Sequence, residues 1–96
     1  MQSNLIKKLK KPWKVGGKEA TEIEVRPATM KDVSEAEQSA SAYQPNTFNM
    51  QMACLQVVRA GDFTGPFVVS HFANMRPAQF AEITDAMREA DRLGED

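Results

Sequence analysis

The stretch KPWKVGGKEATEIEV, residues 11–25, decides how this chain folds. Trp13 and Val15 flank Lys14, a period-two pattern that predicts a strand. Gly16-Gly17 follows, a pair that tolerates positive φ at both places of a two-residue hairpin turn. The return strand alternates more clearly: Thr21, Ile23 and Val25 on one face, Glu22 and Glu24 on the other. Pro12 suits an edge strand or a strand start, because it has no N–H to give to a ladder. Lysines of the first strand are expected opposite the glutamates of the second. A lone hairpin is marginal, so its apolar face needs a helical layer from downstream.

That layer is legible in the spacing of apolar residues. Thr29, followed three places later by Asp32, resembles a helix N-cap with an acid in the first turn. Met30, Val33, Ala36, Ala40 and Tyr43 then form a weak, alanine-rich stripe, which Gln44-Pro45-Asn46 ends. A second helix, capped by Asn46 or Thr47, is expected to reach about Ala60. Phe48, Met52 and Leu55 share its apolar side with Cys54, Val57 and Val58, and Gly61 stops it. Phe67 to Met75 suits a short helix opened by Pro66; Phe67-Val68-Val69 also suits a strand, but Val68, Phe72 and Met75 keep helical spacing. Pro77 opens a last helix with Phe80, Ile83, Met87 and Ala90 inward, ended by Leu93-Gly94. The expected class is α+β in one domain, residues 1–96: a hairpin over about 11–25, then three to four short helices over about 29–93.

Composition narrows the function. With 96 residues, 42% hydrophobic and 26% charged, the chain suits one small globular core. One cysteine excludes an intrachain disulfide, and one histidine excludes paired-His ligation, so neither metal nor cofactor is expected. No apolar run nears the ~20 residues of a membrane span, and residues 1–11 lack a secretory apolar segment. A reducing cytosol is the expected compartment. The net charge of −1 hides an asymmetry. Residues 1–18 hold six lysines and no acid, while residues 19–96 hold 13 acids against six basic residues. Lysines on an edge strand discourage unwanted pairing, which accounts for the basic arm. The alternative is a small nucleic-acid-binding or regulatory module using that arm. The arm offers only one aromatic residue, Trp13, and no arginine.

Catalytic constellations do not emerge, and an enzyme is not expected. Cys54 sits mid-helix among apolar residues and reads as a small hydrophobe. Ser70 and His71 are adjacent and so point different ways. Asp62 reads as a turn residue. Glu22 and Glu24 share a strand face but have no pocket to act in. Methionine is more informative: Met30, Met50, Met52, Met75 and Met87 lie on or beside helix stripes. Methionine fills core gaps and also suits adaptable binding surfaces.

Taken together, Lys11-Pro12, Gly16-Gly17, Glu22-Ile23-Glu24-Val25, Arg26, Thr29 and Asp32, then Leu55 to Ala60, Gly65-Pro66 and Pro77 to Phe80, form a pattern. It resembles the small tail assembly chaperones of Mu-like and related contractile-tailed bacteriophages, over residues 9 to about 90. The resemblance implies a non-catalytic protein that binds the tape-measure protein and keeps it soluble until tail-tube subunits assemble around it. Those subunits are then further partners, and self-association is compatible. It implies a place in the bacterial host cytoplasm, on no membrane, and absence from the mature virion. Many such chaperones occur in two forms, the longer made by a translational frameshift. The contacts expected to serve a helical partner are Phe48, Met52, Leu55, Phe72, Met75, Phe80, Ile83 and Met87, some of which must also build the core.

Overall fold

A computed structural model describes residues 4–40 and 44–94. The chain is α+β: a three-stranded antiparallel sheet and four helices among the described residues. In order they are β1 (Leu5–Val15), β2 (Lys18–Val25), α1 (Met30–Ser39), α2 (Pro45–Gln56), β3 (Val57–Ala60), α3 (Val69–Ala73) and α4 (Pro77–Leu93). The strand order is β1-β2-β3.

The hairpin forms around Gly16 and Gly17, at φ 61° and 77°. A Cβ on Gly16 would stand 2.4 Å from the Phe63 ring, so both conformation and space require glycine there. The strands are longer than residues 11–25: β1 begins at Leu5, where Leu5 faces Val25 and Lys8 faces Glu22. A bulge between Lys8 and Trp13 takes up Pro12. The bulge changes which residues of β2 face inward. Ala20 is buried and Thr21 exposed, so Thr21 does not share the inner face of Ile23 and Val25. The pairing shifts by three residues across the bulge, from Lys8 opposite Glu22 to Trp13 opposite Ala20, and an odd shift exchanges the inward and outward faces.

The second helix does not reach Ala60. It stops at Gln56, and Val57–Ala60 becomes β3, with Glu24 opposite Arg59 and Ile23 opposite Ala60. Two β-branched residues, Val57 and Val58, prefer a strand wherever an open edge is offered. Arg59 then holds Glu22 at 3.0 Å and Glu24 at 3.2 Å. The glutamates therefore find their cation on β3 rather than among the lysines of β1. Gly61 and Asp62 close a tight turn, with Ala60 and Phe63 exchanging backbone hydrogen bonds of 2.8 and 2.9 Å.

Two helix starts also move. Gln44 is the N-cap of α2 with Pro45 in its first turn, in place of Asn46 or Thr47. The third helix is confined to Val69–Ala73, shorter than Phe67 to Met75, and the Nδ1 of His71 accepts the Val68 N–H at 3.1 Å. Thr29 does cap α1: its Oγ1 accepts the Asp32 N–H, and the Asp32 carboxylate accepts the Thr29 N–H at 2.9 Å. Met30 at the head of α1 is 75% exposed and leaves the inward stripe to Ala36 and Ala40. Tyr43 lies outside the described residues. Helix α4 runs from Pro77 to Leu93 with Gly94 at its C-cap, as its sequence pattern predicts.

The core lies between sheet and helices. Ile23, Val25 and Trp13 from the sheet meet Ala53, Phe72, Ile83, Ala86 and Ala90. Trp13 packs on Phe72 and Phe67, with ring centroids 5.3 and 6.1 Å apart. Burying the face of α4 against the sheet supplies the layer that the hairpin lacks on its own.

Candidate functional site

The chain length between Val69 and Pro77 shapes the site. Helix α3 ends at Ala73, and the Met75 N–H closes back on the Phe72 carbonyl at 3.1 Å. Pro77 then starts α4 at once, because its fixed φ suits a first turn and it has no N–H to leave unpaired. So short a connection keeps α3, which packs on α2, close to the start of α4. A groove of about 400 Å³ remains.

Its floor is Phe72, only 2% exposed, with Phe80 edge-on at a centroid distance of 6.1 Å. Met50 of α2, Met75 of the link and Ala81 of α4 make the walls, and Asn46, Asn49 and Thr84 give a polar rim. Among the described residues no charged side chain lines it. A second hollow, of about 210 Å³, continues along the α2–α4 seam past Asn49 and Thr84, which line both. It holds Phe48, Met52 and Met87 together with Gln56, Arg88 and Asp91.

The eight residues expected to meet a partner divide accordingly. Ile83 is 0% exposed and belongs to the core. Met52 and Met87 are nearly buried and border the second hollow together with half-buried Phe48. Phe72, Met75 and Phe80 come together in the first groove. Leu55 is half-buried against the core and lines neither. Met50, Ala81, Asn49 and Thr84 also line the groove and lie outside the eight expected contacts. Their signal is the i, i+4 relation of Asn46 to Met50 and of Phe80 to Thr84, which identifies one wall only once the two helices are known to face each other.

A third hollow, of about 380 Å³, lies on the other flank of α4. Lys10, Lys11, Pro12, Arg76 and Gln79 line it. Gln79 donates to the Lys11 carbonyl at 3.2 Å, and Glu82 accepts the Lys10 backbone N–H at 3.1 Å. These bonds fasten α4 to the bulge of β1.

Buried polar groups cluster elsewhere. Arg26 grips Asp32 through two hydrogen bonds of 2.7 and 2.8 Å. The guanidinium of Arg26, helped by the Thr29 N–H, holds the Asp32 carboxyl below the usual carboxylate range. Gln56, 1% exposed, donates to the Arg26 carbonyl and to Asp91, both at 3.1 Å. Asp91 also accepts the Ala28 N–H at 2.8 Å. Among the described residues no buried side-chain nitrogen or oxygen lacks a partner. Burial pushes the Cys54 thiol up to about 11, which keeps it protonated and weakly nucleophilic at neutral pH. Among the described residues, no three His, Cys, Asp or Glu side chains gather as a metal site, and no helix is long and apolar enough to cross a membrane.

No known family model, curated protein or solved structure matches the chain.

Proposed function

We propose that this protein is a tail assembly chaperone of a Mu-like, contractile-tailed bacteriophage. It binds the tape-measure protein in the host cytoplasm, keeps it soluble while tail-tube subunits assemble, and leaves before the virion matures. It carries out no catalysis. The sequence resemblance motivates the reading, and one observation carries it: the uncharged groove over Phe72, walled by Met50, Met75 and Phe80. An amphipathic helix lays its apolar stripe into a groove of this kind, and flexible methionine walls accept successive stripes that differ in detail.

The alternative is nucleic-acid binding by the basic arm. Trp13, the arm's one aromatic residue, is 4% exposed beneath Phe67 and Phe72, so no ring of the arm offers a base a stacking face. Lys7 shares the face of Leu5 and Leu9, whereas Lys8 and Lys10 lie on the opposite face with Ile6. That spreads the charge over both sides of a strand rather than along one stripe.

Co-expression with the tape-measure protein encoded beside it tests the proposal. The tape measure should become soluble and co-purify with the tagged chain, and Ala81→Glu, which places a charge in the groove, should abolish both. A tape measure that stays insoluble and unbound overturns the reading. Steeply salt-dependent binding to DNA or RNA, lost on changing the arm's lysines to glutamine, would favour the alternative. Deleting residues 1–11 is the wrong form of that test, because it removes Leu5–Lys11, seven of the 11 residues of β1.

A further inference from the structure

We propose that the occupant of the groove over Phe72 is an amphipathic helix whose apolar stripe runs out into acidic residues, and that Arg76, Lys10 and Lys11 receive those carboxylates. The inference rests on the groove reading above and deepens it by stating the partner's chemistry.

Three observations carry it. The groove lining is uncharged, so the part of a partner that enters must be apolar; a charged side chain there would lose its water without gaining a counter-ion. One end of the groove lies beside a cation. Met75 and Pro77 both line the groove, and Arg76, between them in sequence, lines the hollow on the other flank of α4 with Lys10 and Lys11. A helix leaving the groove at the α3–α4 link therefore comes first to Arg76, with the two lysines round the N-terminus of α4.

The third observation is that this charge is unanswered. Arg26, Arg59, Arg88 and Arg92 each hold a carboxylate. Arg76, Lys10 and Lys11 form no ion pair among the described residues. The one acid of the hollow, Glu82, accepts the Lys10 backbone N–H and answers at most one of the three cations. Edge-strand lysines have a role in discouraging aggregation, but Arg76 is not on the strand. It stands at the N-cap of α4 and its side chain caps nothing. A cation there meets the positive end of the helix dipole, and an incoming carboxylate relieves that local cost.

A second copy of the chain does not supply this occupant. The exposed large hydrophobics among the described residues are Ile6, Met30, Val58, Val68 and Leu93, and no two of them share a helix. With no such pair on one helix, the proposed occupant is a foreign helix.

Two synthetic peptides of about 18 residues provide the probe. Both carry the same Leu and Met stripe at i, i+3, i+4 and i+7; one ends in a turn of glutamates, the other in glutamines at the same places. Fluorescence anisotropy with the full chain should show the glutamate peptide binding about tenfold tighter, the sum expected of a few exposed ion pairs. The preference should vanish at about 0.5 M salt, where screening falls to a few ångströms, and in the K10Q/K11Q/R76Q variant at any salt. That variant changes exposed side chains and should keep the wild-type melting curve. Equal binding of the two peptides overturns the proposal. So does a preference that survives the triple substitution, binding of neither peptide, or self-association of the chain that Ala81→Glu abolishes. If the glutamate preference holds but the tape-measure protein does not co-purify, the chaperone reading fails and this one stands.

Discussion

At the junction of β2 with α1, Arg26, Asp32, Gln56 and Asp91 place polar atoms in or near the interior, and each is answered by a partner from another element. At the α3–α4 link the situation is reversed. Met50, Phe72, Met75 and Phe80 form an apolar wall that no part of the described chain covers. The first region closes on itself: a carboxylate, a guanidinium and an amide tie the end of β2 to α1, α2 and α4. The second stays open among the described residues. A satisfied buried polar cluster marks architecture, and an uncovered apolar surface marks something still to be met.

Four experiments sharpen or break that contrast. The largest effect is expected at Ile83, which belongs to neither region. Ile83→Ala removes a fully buried core side chain and should cost about 3–5 kcal/mol by denaturant unfolding. A loss of binding with stability intact would instead return Ile83 to the partner surface. Asp32→Asn comes next. It leaves Arg26 without its carboxylate and weakens the Thr29 cap, for a loss of about 2–3 kcal/mol.

The same pair has a pH signature. The Asp32 pKa is depressed in the folded chain, chiefly by Arg26, so the unfolded chain takes up the proton first as pH falls. Its contribution is complete above the ordinary aspartate value of about 3.9 and is lost as pH drops through the lower folded value. Thermal melts between about pH 5 and 2 should therefore converge for wild type and Asp32→Asn. A constant gap would show that the ion pair is not what the substitution removes. The smallest change in stability, within about 0.5 kcal/mol, is expected for Ala81→Glu on the exposed side of the groove. Its whole effect should appear in partner binding, and a large fall in melting temperature would mean that the groove is core.

Sequence reasoning did well wherever the signal is local. The Gly16-Gly17 turn, the Thr29–Asp32 cap and the Pro77-to-Gly94 helix follow from backbone requirements met by a few adjacent residues. It misplaced what depends on distant partners. Val57 to Ala60 continues a helical pattern, and becomes a strand because β2 has a free edge and Arg59 finds Glu22 and Glu24 there. Simple alternation puts Thr21 inward, but the bulge around Pro12 interrupts it and Ala20 is the buried residue. The eight expected contacts mixed Ile83 from the core with Met75 and Phe80 from the groove. Hydrophobic spacing marks which helix face is apolar, but not which part of it another element will cover.

By itself, then, the chain's sequence determines its α+β class, its hairpin turn and its helix starts at Thr29 and Pro77. Those rest on φ preferences, caps and spacing that act over a few residues. Tertiary structure alone decides that α2 gives way to β3, that Gln56 and Asp91 join one buried polar cluster, and that Arg76 stands beside Lys10 and Lys11 on the flank of α4 away from the Phe72 groove. Each of these needs residues roughly 30 to 70 positions apart to meet, and only packing in three dimensions brings them together.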